Sequence, residues 1–541
     1  MKRIFTSVLF VLFYVISIHA QSPQLFQNIN TGPGLNGDCN PQNLFIYNNK
    51  LWFTGYSATG PSLFSIDENA TQVEEIVTLV GASGFCEFNG RMYFYSRGFT
   101  GDDMELWTTD GTAAGTYEVK DINPEQESYP YDITPFNGKI YFQAVDMDHG
   151  REVFMSDGTE QGTQILKDIY PGSGVENNPQ GFTVFNNHLF FAADDGVHGN
   201  ELWMSDGTEQ GTLMLKDIWE GNSQSRPGGY IGIFQEFNGR LYFGAADAEN
   251  GWEIWSTDGT EEGTTLLKDI SPGPDSSNIE QMIVFENRLY FGAKNGKELW
   301  RTDGTSEGTE LVKSIFEGSG ELYPGVAGFY IWDNFLVFSA DDGTHGQEPW
   351  ISDGTTEGTH MIADINPGSA YGGGFAQVAF ADRLFFVAST ADLGNQLFIS
   401  DGTESGTAMI APPNSPFNAL YGITIPKTFD NKLFIAAEYD PAIGVELYTL
   451  DANITSNYTP PKSVSKIYPN PAESSCFLKI PENMNQASIR VLEMGGRVML
   501  SESVSQNSPV YQLNLNGLSA GLYLIEIENA GHKYYGKVTR K

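Results

Sequence analysis

Cysteine is scarce in this 541-residue sequence, which contains only Cys39, Cys86 and Cys476. Their number is odd and their spacing fits no metal-binding motif, so we expect neither a disulfide framework nor a cysteine metal site. A Cys39–Cys86 bridge is an open alternative, although buried free thiols are the simpler interpretation. The fold must therefore be stabilised mainly by packing.

Basic residues are also few, with 30 Lys and Arg against 68 Asp and Glu, and the net charge is −38. Such a chain repels the phosphates of nucleic acids and anionic lipids, because both are bound through Lys and Arg. We therefore expect no nucleic-acid partner. Apolar residues make up 40% of the chain, which is enough for a large folded core and excludes a disordered acidic tail.

Long apolar runs are missing after the first 20 residues. Lys2 and Arg3 precede an apolar segment over residues 4–18, and Ala20 is a small residue before a potential cleavage site. This pattern is typical of a secretory signal peptide, which we assign to residues 1–20. No later segment reaches the roughly 18 apolar residues of a membrane-spanning helix, so we expect no transmembrane span in the mature protein.

Common catalytic motifs such as HExxH, GxSxG, CxxC and the P-loop are absent, and no segment keeps a helical period. A repeat is present instead. Seven copies of a string close to ELWxxDGTxxGT occur 45–52 residues apart, and degenerate copies at Asp67 and Asp451 flank them. The aspartates of the seven copies are Asp110, Asp157, Asp206, Asp258, Asp303, Asp353 and Asp401.

Each repeat contains four strand-length segments that are rich in aromatic and β-branched residues and are separated by turn residues. Four antiparallel strands in every unit predict an all-β fold, a large β-propeller of nine blade-like units over residues 21–453, with eight blades as an alternative. The last unit lacks its fourth strand, and residues 23–34 resemble a fourth strand. We therefore predict that the N-terminal segment completes the last blade and closes the ring.

The repeated string resembles the ELWxxDGT repeat family of bacterial secreted proteins. That resemblance implies a propeller-like architecture without implying an activity. A polar linker over residues 454–465 follows the repeats, and the charge then changes from −42 over residues 21–465 to +2 over residues 466–541. Alternating apolar segments after this boundary predict a small Ig-like antiparallel β-sandwich.

Residues 466–541 resemble the type A C-terminal sorting domain of the type IX secretion system of Bacteroidota, from the segment KIYPNPAES to the closing KVTRK. The resemblance implies a secreted or outer-membrane surface protein and the type IX secretion machinery as a partner. The positions that match the sorting motifs are Tyr468, Pro469, Asn470, Pro471, Gly517, Gly521, Tyr523 and Lys537.

The repeated polar residues fit structural roles better than catalytic ones, because a catalytic group is needed only once. Asp-Gly-Thr is a turn sequence, since Asp accepts backbone N–H groups and Gly permits positive φ. The Glu that opens the third strand and the Lys of the fourth strand, as at Lys120, are expected to pair with neighbours. The repeated tryptophans are expected to form inter-blade core rather than a ligand cage.

Loops between the second and third strands are acidic, and we expect them to ring one end of the channel. Clustered carboxylates suit calcium, which takes six to eight oxygen ligands, and solvated acidic turns are the alternative. His149, His198 and His345 are interpreted as surface turn residues. No other cofactor is expected. The calcium candidates are Asp146, Asp148, Asp194, Asp195, Asp341 and Asp342.

We expect a non-enzymatic binding or adhesion module outside the cell, with a glycan, a protein or a cationic molecule as the ligand. An extracellular hydrolase or lyase that degrades polysaccharides or peptides is the alternative, and it would need one blade to depart from the repeat. Candidates for such a departure are Arg226 and the segment Tyr371–Gly374. A structural surface-layer component is the third hypothesis.

Overall fold

The computed structural model is all-β and divides into two compact units, Ser22–Ala452 and a second unit containing Asn453–Lys541. Within the part of the chain that the structure describes, no helix is long and apolar enough to cross a membrane. The signal-peptide prediction lies outside the described residues. The described residues are 23–30, 38–99, 103–172, 177–221, 233–279, 281–316, 325–369, 371–410, 425–440, 442–452, 462–463, 467–468, 472, 474–479, 487–493, 498–504, 510–519, 521–529 and 532–541.

The first unit is a ring of nine four-stranded antiparallel blades, which confirms the propeller and decides between eight and nine blades. The chain begins with strand β1 (Gln24–Gln27). Blade 1 contains β2 (Gln42–Tyr47), β3 (Lys50–Ser57), β4 (Gly60–Ile66) and β5 (Val73–Thr78). Blade 2 contains β6 (Ser83–Phe88), β7 (Arg91–Ser96), β8 (Glu105–Thr109) and β9 (Tyr117–Lys120). Blade 3 contains β10 (Tyr131–Phe136), β11 (Lys139–Asp146), β12 (Gly150–Ser156) and β13 (Gln164–Lys167).

The next three blades follow the same order. Blade 4 contains β14 (Gln180–Phe185), β15 (His188–Asp194), β16 (Asn200–Ser205) and β17 (Leu213–Lys216). Blade 5 contains β18 (Phe234–Phe237), β19 (Arg240–Asp247), β20 (Gly251–Thr257) and β21 (Thr265–Lys268). Blade 6 contains β22 (Met282–Phe285), β23 (Arg288–Ala293), β24 (Glu298–Thr302) and β25 (Glu310–Ser314).

Three blades complete the ring. Blade 7 contains β26 (Ala327–Trp332), β27 (Phe335–Asp341), β28 (Gln347–Ser352) and β29 (His360–Met361). Blade 8 contains β30 (Gly373–Phe380), β31 (Arg383–Thr390), β32 (Gly394–Ser400) and β33 (Ala408–Met409). Blade 9 contains β34 (Lys427–Phe429), β35 (Lys432–Ala437), β36 (Glu446–Asp451) and the N-terminal strand β1.

The N-terminal strand closes the ring as predicted. Strand β1 pairs antiparallel with β36, with Gln24 opposite Thr449 and Leu25 opposite Tyr448. The ring of Phe26 meets Phe434 edge to face at a centroid distance of 5.2 Å. The carboxylate of Glu446 also accepts the backbone N–H groups of Ile29 and Asn30. Pairing with β1 therefore covers the outer edge of β36.

The first strand of each blade lies innermost and lines the channel, because first strands of neighbouring blades contact one another. Second and third strands are apolar on both faces, since each small sheet packs between two neighbours. In β15, for example, Leu189, Phe190 and Phe191 are all buried. Successive hydrophobic clusters combine residues of adjacent blades, so the core is a continuous belt around the ring.

The C-terminal unit consists of two small sheets that share one core. A five-stranded sheet has the order β37-β44-β43-β40-β41, and a three-stranded sheet has the order β38-β39-β42. Cys476 and Leu513 of the small sheet pack with Ile489 and Ile525 of the larger sheet, as expected for a sandwich. The β37–β44 pair is parallel, unlike the antiparallel arrangement expected. The strands are β37 (Lys462–Ser463), β38 (Ile467–Tyr468), β39 (Ser475–Lys479), β40 (Ala487–Glu493), β41 (Val498–Val504), β42 (Val510–Asn514), β43 (Gly521–Asn529) and β44 (His532–Arg540).

All three cysteines are free thiols, so the alternative of a Cys39–Cys86 bridge is wrong. Cys39 and Cys476 are buried, whereas Cys86 is half-buried. Burial raises the pKa of Cys86 and Cys476 to about 11, and that of Cys39 well above its usual value. Because the thiolate is the reactive form, these thiols are poor nucleophiles near neutral pH.

The closure strand provides a stability test. We expect Phe26→Ala to lower the free energy of unfolding by about 2 kcal/mol, because it removes a half-buried ring that packs on Phe434. The matched control is Leu25→Ala, which truncates an exposed side chain of the same strand and should change stability by less than about 0.5 kcal/mol. Thermal and urea unfolding measure both. Equal effects of the two substitutions would contradict the role assigned to Phe26.

Candidate functional site

The Asp-Gly-Thr loops are structural turns, as predicted. In each of the seven copies the Asp Oδ1 accepts the backbone N–H and the hydroxyl of the following Thr, as Asp206 does from Thr208 at 2.9 and 2.7 Å. These hydrogen bonds from the Thr hydroxyl and N–H lower the pKa of Asp206. The second Gly of the motif is required by space, since a Cβ at Gly211 would lie 2.1 Å from Asp206 Oδ1.

A lysine of the preceding blade holds each of five loops. The Lys167 Nζ of blade 3 donates to the Thr212 carbonyl of blade 4 at 2.9 Å, and Lys120 reaches the Thr163 carbonyl in the same way at 2.8 Å. The expected pairing with neighbours is therefore confirmed, and the partners are backbone carbonyls of the next blade. Lys216 and Lys268 donate to the equivalent carbonyls of Thr264 and Thr309, whereas Lys313 donates to the Thr356 carbonyl of the next loop at 3.3 Å.

The glutamate that opens the third strand lies on the opposite face, where its carboxylate organises the connection to the next blade. Glu152 is fully buried, and its two oxygens accept the Tyr170 N–H at 2.7 Å and the Asn177 side-chain amide at 2.9 Å. The Glu152 carboxylate thus provides hydrogen-bond acceptors for amide groups in the connection between blades 3 and 4, which would otherwise be buried without a partner. Glutamates with comparable bonds are Glu105, Glu201, Glu253, Glu348 and Glu446.

Burial perturbs these carboxyl groups. It raises the pKa of Glu105, Glu152, Glu348 and Glu446 to about 7, against hydrogen bonds that act in the opposite direction. Perturbed carboxyls are often catalytic. Here they recur around the ring and bond to backbone amides, which is a structural use. Blade 8 has Gln396 at this position, so a neutral amide is accommodated.

The six calcium candidates lie at the ends of the second strands, as Asp146, Asp194 and Asp341 do, or in the loops that follow. Asp146, Asp195 and Asp342 each accept backbone N–H groups of their own turn and contact a histidine ring through the second oxygen, at 2.7–2.8 Å. Asp194 and Asp341 each accept the N–H of a glycine two residues on. Asp148 is exposed. The structure thus uses most of these carboxylates as turn caps.

The histidines of these loops are partly exposed turn residues, as predicted. Hydrogen bonds to Asp146, Asp195 and Asp342 raise the pKa of His149, His198 and His345 respectively. Among the described residues, no three His, Cys, Asp or Glu side chains form a group that could hold a metal ion. Calcium binding at the six aspartates stays a prediction.

The repeated tryptophans belong mainly to the core. Trp107, Trp203, Trp255 and Trp350 are buried, and Trp203 donates to the Ala193 carbonyl at 3.1 Å. Trp300 differs because it is only partly buried and donates to Glu298 at 2.8 Å.

One of the two proposed departures from the repeat has a packing explanation. A Cβ at Gly372 would lie 2.0 Å from the buried Glu348, and a Cβ at Gly374 would lie 2.7 Å from Pro349. These glycines therefore make room for the third strand of the preceding blade. Arg226 lies outside the described residues.

A pocket of 420 Å³ opens beside the inner strands of blades 1–3, on the face that carries the acidic loops. Its wall includes Gln42, Tyr56, Tyr95 and Tyr131, none of which the sequence analysis selected. The sequences of the second strands contain a signal that could have identified this pocket. Tyr95 occupies the position that holds Ala192 in blade 4 and small residues in most other blades.

The structure describes only some of the sorting-motif positions. Gly517 has a φ of 94° in the turn before β43, a conformation that favours glycine. Tyr523 is buried, and its hydroxyl donates to the Ser519 carbonyl at 3.0 Å. Gly521 begins β43, and Lys537 of the neighbouring strand β44 pairs with Leu524 of β43. Tyr468 lies in β38, whereas Pro469, Asn470 and Pro471 lie outside the described residues.

Residues 466–541 match the family described as the secretion system C-terminal sorting domain. This match confirms the type IX sorting domain and indicates export to the cell surface or extracellular space. The match covers only the C-terminal module. Membership of the propeller in the ELWxxDGT repeat family stays a prediction. Comparison with curated proteins gave no match.

Several solved structures share distant similarity with the chain. A puromycin hydrolase has a TM-score of 0.38 and 13% identity over 74% of this chain and 58% of its own. A structure from a study of two prolyl endopeptidases has a TM-score of 0.38 and 12% identity over 66% and 55%. A puromycin-hydrolysing peptidase of Mycobacterium tuberculosis has a TM-score of 0.36 and 10% identity over 66% and 58%. This chain thus spans little more than half the length of these proteins.

The buried glutamates predict a pH dependence of stability. A carboxyl with a higher pKa in the folded chain contributes fully below its unfolded value near 4.5, and this contribution is lost as pH rises through about 7. We expect the melting temperature to fall by roughly several degrees from pH 5 to pH 8. Glu152→Gln should reduce this slope, because it removes one of the titrating groups. Calorimetry at pH 5, 6.5 and 8 measures the slope.

The control for this measurement is Glu209→Gln, which makes the same chemical change at an exposed loop position. It should leave the slope between pH 5 and pH 8 unchanged. A Glu152→Gln variant that keeps the full slope of the original chain would contradict the titration assigned to Glu152.

Proposed function

We propose that the mature protein is a non-catalytic binding or adhesion propeller, exported by the type IX secretion system and displayed outside the cell. The observation that carries this proposal is the combination of a sorting domain with a propeller whose repeated polar side chains serve internal roles. The Asp, Lys and Glu of the repeat hold loops and connections. Ligand contacts must then come from residues that differ between blades.

The charge of the propeller limits its ligands. Residues 21–465 carry −42, so polyanionic ligands are repelled. The proposed ligand-binding face is the one that carries the loops between the second and third strands. It contains acidic loops, such as the loop with Asp195, and the pocket of blades 1–3. Neutral or cationic extracellular partners, such as glycans or protein surfaces, are the most compatible with the negative electrostatic potential of the propeller.

The hydrolase or lyase alternative has less support. It needs a unique pair of carboxyl groups at the channel mouth, whereas the buried glutamates recur in six blades and bond to the connections between blades. The residues that line the pocket include no Asp or Glu. Binding without bond cleavage therefore agrees better with the chemistry of this face.

Export provides the first test of the proposal. Deletion of residues 466–541 should abolish arrival of the protein at the cell surface and in the medium and leave it in the periplasm, because the sorting domain is the part that the secretion machinery recognises. Fractionation with immunoblotting measures this. A resident periplasmic protein that is not exported is the control for lysis. Normal export of the truncated chain would contradict type IX export.

Binding provides the second test. The full mature chain, immobilised in one orientation, is screened against an array of extracellular glycans and surface proteins, and every bound sample is assayed for cleavage products. We expect saturable binding without products. Cleavage of a polysaccharide or peptide would favour the enzyme alternative, and saturable self-association as the only interaction would favour the surface-layer alternative.

A further inference from the structure

We propose that the pocket at blades 1–3 is a binding site for a neutral carbohydrate, an inference that rests on the proposed binding function and gives it a location and a ligand class. The pocket lies between the inner ends of blades 1 and 2 and is bordered by Tyr131 of blade 3. Its volume of 420 Å³ falls within the range of about 300–1,000 Å³ that small-ligand sites occupy.

The repeat is broken where the pocket forms. Backbone pairing places Tyr95 opposite Ser83 in blade 2, and the equivalent pair in blade 4 is Ala192 opposite Gln180. Blade 7 has Ser339 at the position of Tyr95. The packing of a blade therefore does not require a large aromatic residue here. Tyr95 adds a half-exposed ring to a position that is small in most other blades.

The aromatic wall is held in place. The rings of Tyr95 and Tyr131 meet edge to face at 80° with centroids 4.8 Å apart, an arrangement that aromatic pairs favour. Gly84 makes room for the Tyr95 ring, since a Cβ there would lie 2.5 Å from Tyr95 Cε1. Two tyrosines from different blades thus form a fixed aromatic corner.

The polar groups of the pocket are neutral. No residue that lines it is charged, although the whole chain carries −38. Among the described residues, the side-chain amide of Gln42 and the hydroxyls of Tyr56, Tyr95 and Tyr131 make no hydrogen bond to another protein group. Asn43 uses its amide nitrogen on Thr54 and on the Ala82 carbonyl. Its amide oxygen remains as an acceptor.

This set of groups matches the chemistry of a sugar ring. Amides and hydroxyls both donate and accept hydrogen bonds, as sugar hydroxyls require, whereas Lys or Arg only donate and carboxylates only accept. Aromatic rings supply apolar surface for the C–H face of the sugar. An anionic ligand would be repelled by the acidic protein, and a cationic ligand would lack a carboxylate partner in the pocket. A neutral carbohydrate is not repelled by the acidic protein and needs no carboxylate partner in the pocket.

The test uses the full mature chain and neutral oligosaccharides built from glucose, mannose, galactose, xylose or N-acetylglucosamine, with oligogalacturonate as the acidic comparison. Calorimetric titration should detect a neutral oligosaccharide and no oligogalacturonate binding. Tyr131→Ala and Gln42→Ala should each weaken that binding about tenfold or more. Tyr117→Ala is the matched control, because Tyr117 is an exposed tyrosine of β9, the outer strand of blade 2. It should leave the affinity unchanged.

The melting temperatures of both variants show whether weaker binding comes from a lost contact or from unfolding. Gln42→Ala should keep the melting temperature, because Gln42 is an exposed side chain. Full affinity in folded Tyr131→Ala and Gln42→Ala variants would overturn the assigned site. If no neutral oligosaccharide binds while the array identifies a protein ligand, the carbohydrate assignment is wrong and the binding function stands. If nothing binds in either experiment, both proposals fail.

Discussion

Ring closure is the constraint on which the rest of the propeller depends. Each blade is a small sheet with two apolar faces, so every blade needs a neighbour on both sides. The chain meets this need at the junction of blades 1 and 9, where β1 pairs with β36. The N–H groups of Cys39 and Asn40 both donate to the Val445 carbonyl there, at 3.0 and 2.9 Å. Closure also positions the pocket, because Asn40 lines it and Cys39 accepts the N–H of Tyr56.

The polar residues of the repeat support the same ring from two faces. On one face, lysines bond the Asp-Gly-Thr loops of the next blade, as Lys167 does with Thr212. On the other face, buried glutamates bond the connections between blades, as Glu152 does with Tyr170. A repeated residue in this protein therefore indicates structure. Residues that depart from the repeat, such as Tyr95, are free to acquire a binding role.

Much of the fold could be predicted from the sequence, because strand alternation, turn residues and repeat length are local signals. The nine units, the closing role of the N-terminal strand and the turn role of Asp110 and its equivalents all followed from such signals. The sorting domain was recognisable because its motifs occur in order along residues 466–541. The parallel pairing of β37 with β44 was not predicted, because β37 is only two residues long and lies in the segment that was expected to be a polar linker.

The candidate site was harder to predict, because its geometry joins distant segments. The acidic loops attracted a calcium interpretation on composition alone, and only the structure shows that Asp195 caps its own turn and bonds His198. The pocket combines Gln42 with Tyr131, which come from blades 1 and 3. Tyr95 was not selected in the sequence analysis. Comparison of second strands across blades would have singled it out, since most other blades have a small residue there.

Hydrogen–deuterium exchange at the junction of blades 1 and 9 tests the closed ring most directly. The account predicts that the amides of Leu25, Cys39 and Asn40 exchange as slowly as those at the centre of β36, because opening them requires opening the ring. Complete exchange of residues 23–30 and 38–40 within seconds, with β36 still protected on the side of β35, would contradict closure by the N-terminal strand.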